Sequence, residues 1–418
     1  MSNRRPGRWL FWIYCAVLLA ISLSIWVSLS PELVHFRTFA WDFLILYAGG
    51  RMVLDGHGSS LYDLPAQLAY QARLIAPRRV ATGSLPFFYP PTILPFLLPF
   101  SLGSLSLGYV LWMCFSLLLI AIFLLLAWRY LGIPREHRGD FLLALLAFYP
   151  LSNHLVQGQT SLLLLLGFTL AFLLLRRGRD LGAGLALSLG SIKPPLVLPL
   201  LLVLLGKRRW WALAGFLLGT ALLVSPLLPF LGVSVVWDYA RLAFHLLGVR
   251  DEYGLFPSSM NNWRALAYRL GGYHGAGNVL WIGLSLLSLG LLAWIWRYPW
   301  ADHPRRFSRQ FCATILLTTL LSPHLYLHDL VLWLLAGALL VGESKRGWWF
   351  FLPLSSTAAL LNPIWPWAFG PPTVLWSAAV TAVLLSMAWA ADPDWPCPPT
   401  RAIMPPDEDS VRPTEEGK

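Results

Sequence analysis

Charge is what this sequence has least of. Of its 418 residues only 12% are Asp, Glu, Lys or Arg, about half of the ~25% usual for a soluble globular chain. Acidic residues are scarcer still, 20 against 31 basic ones. Without enough charge to solvate a surface, and with 57% hydrophobic residues and a mean hydropathy of +0.62, a water-soluble enzyme is excluded. The apolar runs are continuous and Leu-rich, and they do not alternate with polar residues. That excludes a membrane β-barrel, whose strands face lipid and lumen in turn. Runs of about 20 apolar residues recur instead, the length that crosses ~30 Å of hydrocarbon as a helix.

Cysteine is also sparse. Cys15, Cys114, Cys312 and Cys397 form no CxxC pair, so neither a disulfide framework nor a zinc site is indicated. No Walker loop is present, and no GxGxxG follows a strand to open a helix. The net charge of +11 does not point to nucleic acid, because the basic residues fall in short clusters between apolar runs. Such clusters orient membrane proteins with their positive loops in the cytoplasm. The 22 Trp fit the aromatic belts at the two membrane interfaces.

The fold class expected is therefore an all-α polytopic integral membrane protein. Six basic clusters set its orientation: Arg4-Arg5-Arg8, Arg129 to Arg138, Arg176 to Arg179, Lys207-Arg208-Arg209, Arg297 to Arg309 and Lys345-Arg346. With all six cytoplasmic, residues 9–30 run outward, too long for a signal-peptide core and read as a retained first span. Residues 31–105 form a long first outer loop, with 91–101 at or in the membrane, and 106–130 return. Residues 140–153 and 159–176 form one outward-and-back pair. A second pair, 181–191 and 195–206, is broken at Lys193-Pro194-Pro195, and each half is too short to span. Residues 210–231 run out to a second outer loop, 232–277. Spans over 278–297, 308–323, 326–342, 347–362 and 372–391 follow. The tail 392–418 is rich in proline and acid and reads as disordered and cytoplasmic, beyond a membrane domain of 1–391. In the first outer loop Tyr62-Asp63 opens a helical stretch with Leu64, Leu68 and Leu74-Ile75 at helical spacing, suited to lying on the outer leaflet.

In this topology the unusual polar residues collect on the outer side or partway into the bilayer. They include Asp42, Asn153-His154, Gln157-Gly158-Gln159, Lys193, Asn261-Asn262, His324, His328 and Asp329. Ionisable groups at membrane depth are costly and usually line a cavity. Each also has a plainer reading: Asp42 as a salt-bridge partner of Arg37 or Arg51, Lys193 as a snorkelling lysine, His154 and Gln159 as groups that satisfy a turn. The i,i+4 spacing of His324 and His328, with Asp329 beside them, is also a spacing that holds metal on a helix, although Pro323 disturbs the helix and no third ligand is obvious.

Several of these residues fall in a longer pattern. Trp41-Asp42-Phe43 is followed by Tyr47-Ala48-Gly49-Gly50, Gly56, Leu61-Tyr62-Asp63 and Phe88-Tyr89-Pro90-Pro91. Gly158-Gln159, Gly184, Ile192-Lys193-Pro194-Pro195, Ser259-Met260-Asn261-Asn262 and Leu321-Ser322-Pro323 come next. In order and spacing this resembles glycosyltransferase family 87, from about residue 35 to 340. The resemblance implies a GT-C-like bundle of about 10–12 transmembrane or half-membrane helices in a bacterial plasma membrane; the basic clusters place both termini in the cytoplasm. It implies transfer of a hexose, mannose in the known activities, from a polyprenyl-phosphate donor to a lipid or glycan acceptor, with Asp42 matching the catalytic aspartate. Thr160-Ser161 and Tyr326 to Asp329 depart from the family pattern and leave acceptor and sugar open.

The expected mechanism is single displacement with inversion, Asp42 acting as general base. Lys193 is the first candidate for the donor phosphate, with Arg264 and His324 after it. Tyr62, Tyr89, His154, Gln159, Asn261, Asn262 and His328 are candidates for substrate contacts. No cofactor is expected, since the donor arrives activated, and metal dependence stays open. The partners expected are membrane lipids, the donor and the acceptor. The alternative reading is a transporter or flippase of a lipid-linked glycan, for which the broken helix pair would be the binding site. A catalytically silent scaffold is a third.

Overall fold

The computed structural model describes residues 8–35, 41–76, 86–249, 255–297, 304–342, 349–362 and 371–389. The tail 392–418, Arg37, Asp251-Glu252 and Lys345-Arg346 lie outside the described residues. Within them the chain is a helical bundle, in which each apolar helix satisfies its own backbone polar groups without water. Four helices are long and apolar enough to cross a membrane: Arg8–Ser28, Leu105–Tyr130, Trp210–Leu231 and Ala276–Ile295. A fifth, broken span joins Arg135–Leu146 to Tyr149–Gln157 with a bend of 54°. The break falls at Ala147-Phe148, where Pro150 near the start of the second helix has no N–H to continue the first.

These long helices present leucines outward. Leu107, Leu111, Leu117, Leu118 and Leu125 on one, and Leu217, Leu218 and Leu222 on another, are exposed. So much apolar surface is stable only against lipid. The remaining apolar helices are shorter, among them Ser161–Arg176, Pro194–Gly206, Leu327–Gly342 and Phe351–Leu361. The segment expected as a span over 308–323 is the helix Pro304–Leu321. It is packed inside the bundle, with Phe307, Phe311, Thr314, Thr318 and Thr319 all buried.

The basic segments gather at one end. Arg8 pairs with Asp140 at 3.1 Å, the Arg177 guanidinium lies 5.3 Å from the Tyr130 ring centroid, and Arg209 pairs with Asp180 at 3.2 Å. At the other end the first loop is more ordered than its composition implies. Residues Trp41–Leu54 form a helix that the sequence reading did not anticipate. It is buried from Phe43 to Gly50, so it shows no amphipathic period. Its glycines let the chain segment Phe87 to Ser101 close on it: a Cβ at Gly50 would stand 2.2 Å from the Ser101 hydroxyl oxygen. The helix expected after Tyr62-Asp63 is Leu64–Ile75, capped by the Asp63 carboxylate accepting from the Ala66 N–H at 2.8 Å.

Candidate active site

A cavity of about 790 Å³ opens at this end, lined by residues from most of the chain, among them Asp42, Tyr89, Gln159, Lys193, Asn261, Arg264, His324, His328 and Asp329. Its size is in the range of small-molecule sites, ~300–1,000 Å³.

Asp42 sits in the first turn of Trp41–Leu54, where a carboxylate meets the positive end of the helix dipole. Its partner arrives from 117 residues away: the Gln159 amide Nε2 donates to Asp42 Oδ2 at 2.5 Å. Gly158 makes that approach available. It ends the helix Tyr149–Gln157 in the left-handed conformation, φ 65°, which glycine adopts without a Cβ penalty. Any Cβ there would also stand 2.7 Å from that of Phe43. The turn aims Gln159 at Asp42.

Gln159 is held at its other end too. Its Oε1 accepts from Lys193 Nζ at 3.0 Å and from the Tyr89 hydroxyl at 2.9 Å. An ammonium only donates, so Lys193 fixes which way the amide points and therefore which atom faces Asp42. Lys193 stands at the break between the half-helices, immediately before Pro194 and Pro195 at the start of Pro194–Gly206, where missing N–H groups cost nothing. Its ammonium also donates to Asp329 Oδ1 at 2.5 Å and to Ser161 Oγ at 3.0 Å. His328 stands between the two acids, 3.9 Å from Asp42 and 3.6 Å from Asp329.

Burial pushes the Asp42 carboxyl up to about 6, against the lowering by the Gln159 hydrogen bond and the Lys193 charge, while Asp329 adds to the rise. Burial likewise lowers the His324 imidazole to about 4, leaving it neutral at pH 7. Of the oxygens of Asp42, Oδ2 takes the Gln159 bond. Oδ1 has no hydrogen-bond partner among the described residues and is left to the cavity.

Asn261 reaches the wall, its Oδ1 accepting from Thr373 Oγ1 at 2.6 Å and from Asn362. Three candidates do not reach it. Tyr62 is buried behind Tyr89 and donates to its carbonyl at 2.8 Å. His154 is fully buried away from the lining. Asn262 is the N-cap of Trp263–Gly271, accepting from the Ala265 N–H at 2.9 Å and donating to the Ser322 carbonyl at 2.8 Å. These three support the wall from behind.

The i,i+4 reading of His324 and His328 fails for a physical reason. Residues 322–326 are not helical and Leu327–Leu332 is a 3₁₀ turn, so the two imidazoles do not share an α-helical face. Among the described residues they form no three-ligand metal group with Asp329. The sequence reading missed Asp329 as the Lys193 counter-ion and Arg269, Tyr326 and Asn362 as wall residues.

The model of glycosyltransferase family 87 matches residues 87–323, more than half of the chain. No curated protein and no solved structure matches it.

Proposed function

The chain belongs to glycosyltransferase family 87, and on that premise we propose that it transfers a hexose, mannose first, from a polyprenyl-phosphate carrier to a lipid or glycan hydroxyl at the extracytoplasmic face. It is a membrane glycosyltransferase; donor, sugar and face are our reading. The observation that carries it is the Asp42 carboxylate, held at one oxygen by Gln159 and turned by the other to a cavity large enough for a sugar phosphate.

In the reaction, an acceptor hydroxyl on the Asp42 side attacks C1 of the sugar. The new C1–O bond forms as the C1–O bond to phosphate breaks, its electron pair leaving on the carrier phosphate. The hydroxyl proton passes to Asp42, the general-base role. Because a phosphate leaves without being protonated, one carboxylate suffices for a single displacement with inversion, in the role of the base of the inverting-glycosidase pair. A cation drawn from Lys193 or Arg264 meets the leaving phosphate, a charge-assisted contact, and His324, neutral at pH 7, offers it an N–H. The basic end of the bundle supports a cytoplasmic placement for it under the positive-inside rule, which puts the cavity outside.

The test is purified protein in detergent with a polyprenyl-phosphate hexose and mixed lipid acceptors. Covalent product without a sealed membrane is expected, and Asp42→Asn abolishes it while leaving the protein folded. Full turnover by that variant, or carrier movement across vesicles with no glycoside formed, overturns the proposal.

A further inference from the structure

Two cations of the cavity wall, Lys193 and Arg264, are in opposite situations. Lys193 spends its three N–H donors on Asp329, Ser161 and Gln159, all that an ammonium has. Asp329 cancels its charge.

Arg264 is 2% exposed, as buried as any core residue. Its Nη2 donates to the Leu247 carbonyl at 2.8 Å and its Nη1 reaches the Pro323 carbonyl only at 3.4 Å. Its Nε is buried with no partner, and among the described residues no carboxylate pairs with it. The rings of Tyr268 and Trp281, with centroids 5.3 and 5.4 Å from it and 6.3 Å from each other, pack beside it without enclosing it. A guanidinium taken out of water costs several kcal/mol unless a counter-charge meets it. Its planar fork suits two oxygens of one phosphate. Asn262 explains why it stands there: by capping Trp263–Gly271 and binding the Ser322 carbonyl, it fastens the start of that helix to the segment that carries His324.

We propose that Arg264 is the phosphate anchor of this cavity and that Lys193, bound to Asp329, is a positioning residue that orients Gln159 and through it Asp42. This rests on the donor being the anionic lipid phosphate proposed above. The Arg264 fork takes the phosphate that leaves C1, and the Lys193–Asp329 pair stays closed throughout.

The experiment uses full-length protein in detergent and three probes: polyprenyl monophosphate, uncharged polyprenol and phosphatidic acid. Arg264→Gln weakens polyprenyl monophosphate and raises the donor KM by about 10–100-fold, the worth of a charge-assisted contact. Polyprenol binding does not change, and Arg264→Lys recovers part of the loss. Lys193→Met, or Lys193→Met with Asp329→Leu should the single variant not fold, lowers kcat and moves the pH profile but leaves monophosphate affinity within about threefold. Equal losses for polyprenol and monophosphate in Arg264→Gln make Arg264 a strut and overturn the proposal. So does a loss of phosphate affinity confined to the Lys193 variants, or phosphatidic acid competing as well as the polyprenyl phosphate, which makes this a general lipid-headgroup site. Arg264-dependent phosphate binding in a protein that forms no glycoside keeps the anchor and refutes the transferase mechanism. Glycoside formed without Arg264-dependent affinity does the reverse.

Discussion

If Asp42 is the base, transfer should follow its ionisation, and the site fixes both the position and the direction of the shifts. With the carboxyl near 6, about nine-tenths of it is ionised at pH 7 and about one-tenth at pH 5, so kcat/KM for donor falls roughly tenfold between them. The proposed donor is a phosphodiester and the proposed acceptor an alcohol; neither titrates there, so the limb would belong to the protein. Three variants then move it predictably. Gln159→Leu removes a hydrogen bond to the charged form and Lys193→Met removes a nearby cation, so both shift the limb upward. Asp329→Asn removes a like charge and shifts it downward. Donor phosphate bound in the same cavity adds negative charge, so the limb of kcat lies above that of kcat/KM. Initial rates of labelled hexose transfer in detergent, from about pH 4.5 to 8, measure all of these. A flat profile over this range in the wild type, or a limb that no variant moves, refutes Asp42 as the titrating base.

Three further outcomes follow from the packing. Lys193→Ala leaves Asp329 buried and unpaired, costing about 3–5 kcal/mol; thermal unfolding in detergent should show the loss, and the paired change to Met and Leu should restore most of it. Gly158→Ala forces a left-handed residue, about 1–2 kcal/mol, and meets Phe43 as well, so it lowers both the melting temperature and kcat by misaiming Gln159. Tyr62→Phe removes a single buried bond to the Tyr89 carbonyl; stability drops by about 1 kcal/mol, while donor KM holds, because Tyr62 does not touch the cavity.

What the sequence disclosed depended on how local the physics was. The break at Lys193 was legible because two prolines deny the backbone N–H groups a helix needs, and the structure shows half-helices there. The helix after Asp63 was legible from the helical spacing of Leu64, Leu68 and Leu74-Ile75. The helix Trp41–Leu54 was not: buried on all sides, it has no polar face and hence no period to read. Nor was the counter-ion of Lys193. Asp329 lies 136 residues on, and a charge pair across a bundle leaves no mark in either local sequence. The i,i+4 spacing of His324 and His328, with Asp329 beside them, invited a metal reading that the non-helical turn at Pro323 removes. Asn262 belonged to a recognisable motif, yet its work is to cap a helix; Asn261 of that motif and Arg264, two positions beyond it, reach the cavity.

The layout also answers a difficulty that any such site faces. A base and an anion binder work against each other at close range, since phosphate beside Asp42 would raise its pKa further and hold it protonated. Here the acid is screened by a neutral assembly: an amide, Gln159, and an ion pair, Lys193 with Asp329, whose charges cancel. Arg264 stands apart from that assembly, tied to the carbonyls of Leu247 and Pro323. The link between the two is the segment from Pro323 to Asp329, where His324 packs on Tyr326 and Tyr326 on His328. On the proposed reading, phosphate at Arg264 would leave the sugar toward Asp42, with the leaving group and the attacking hydroxyl on opposite sides of C1. Inversion would then follow from where the charges sit rather than from a second carboxylate acting as nucleophile. Asp329, the other acid on this wall, is engaged by Lys193, Ser161 and the Tyr326 N–H, which leaves it unsuited to attack.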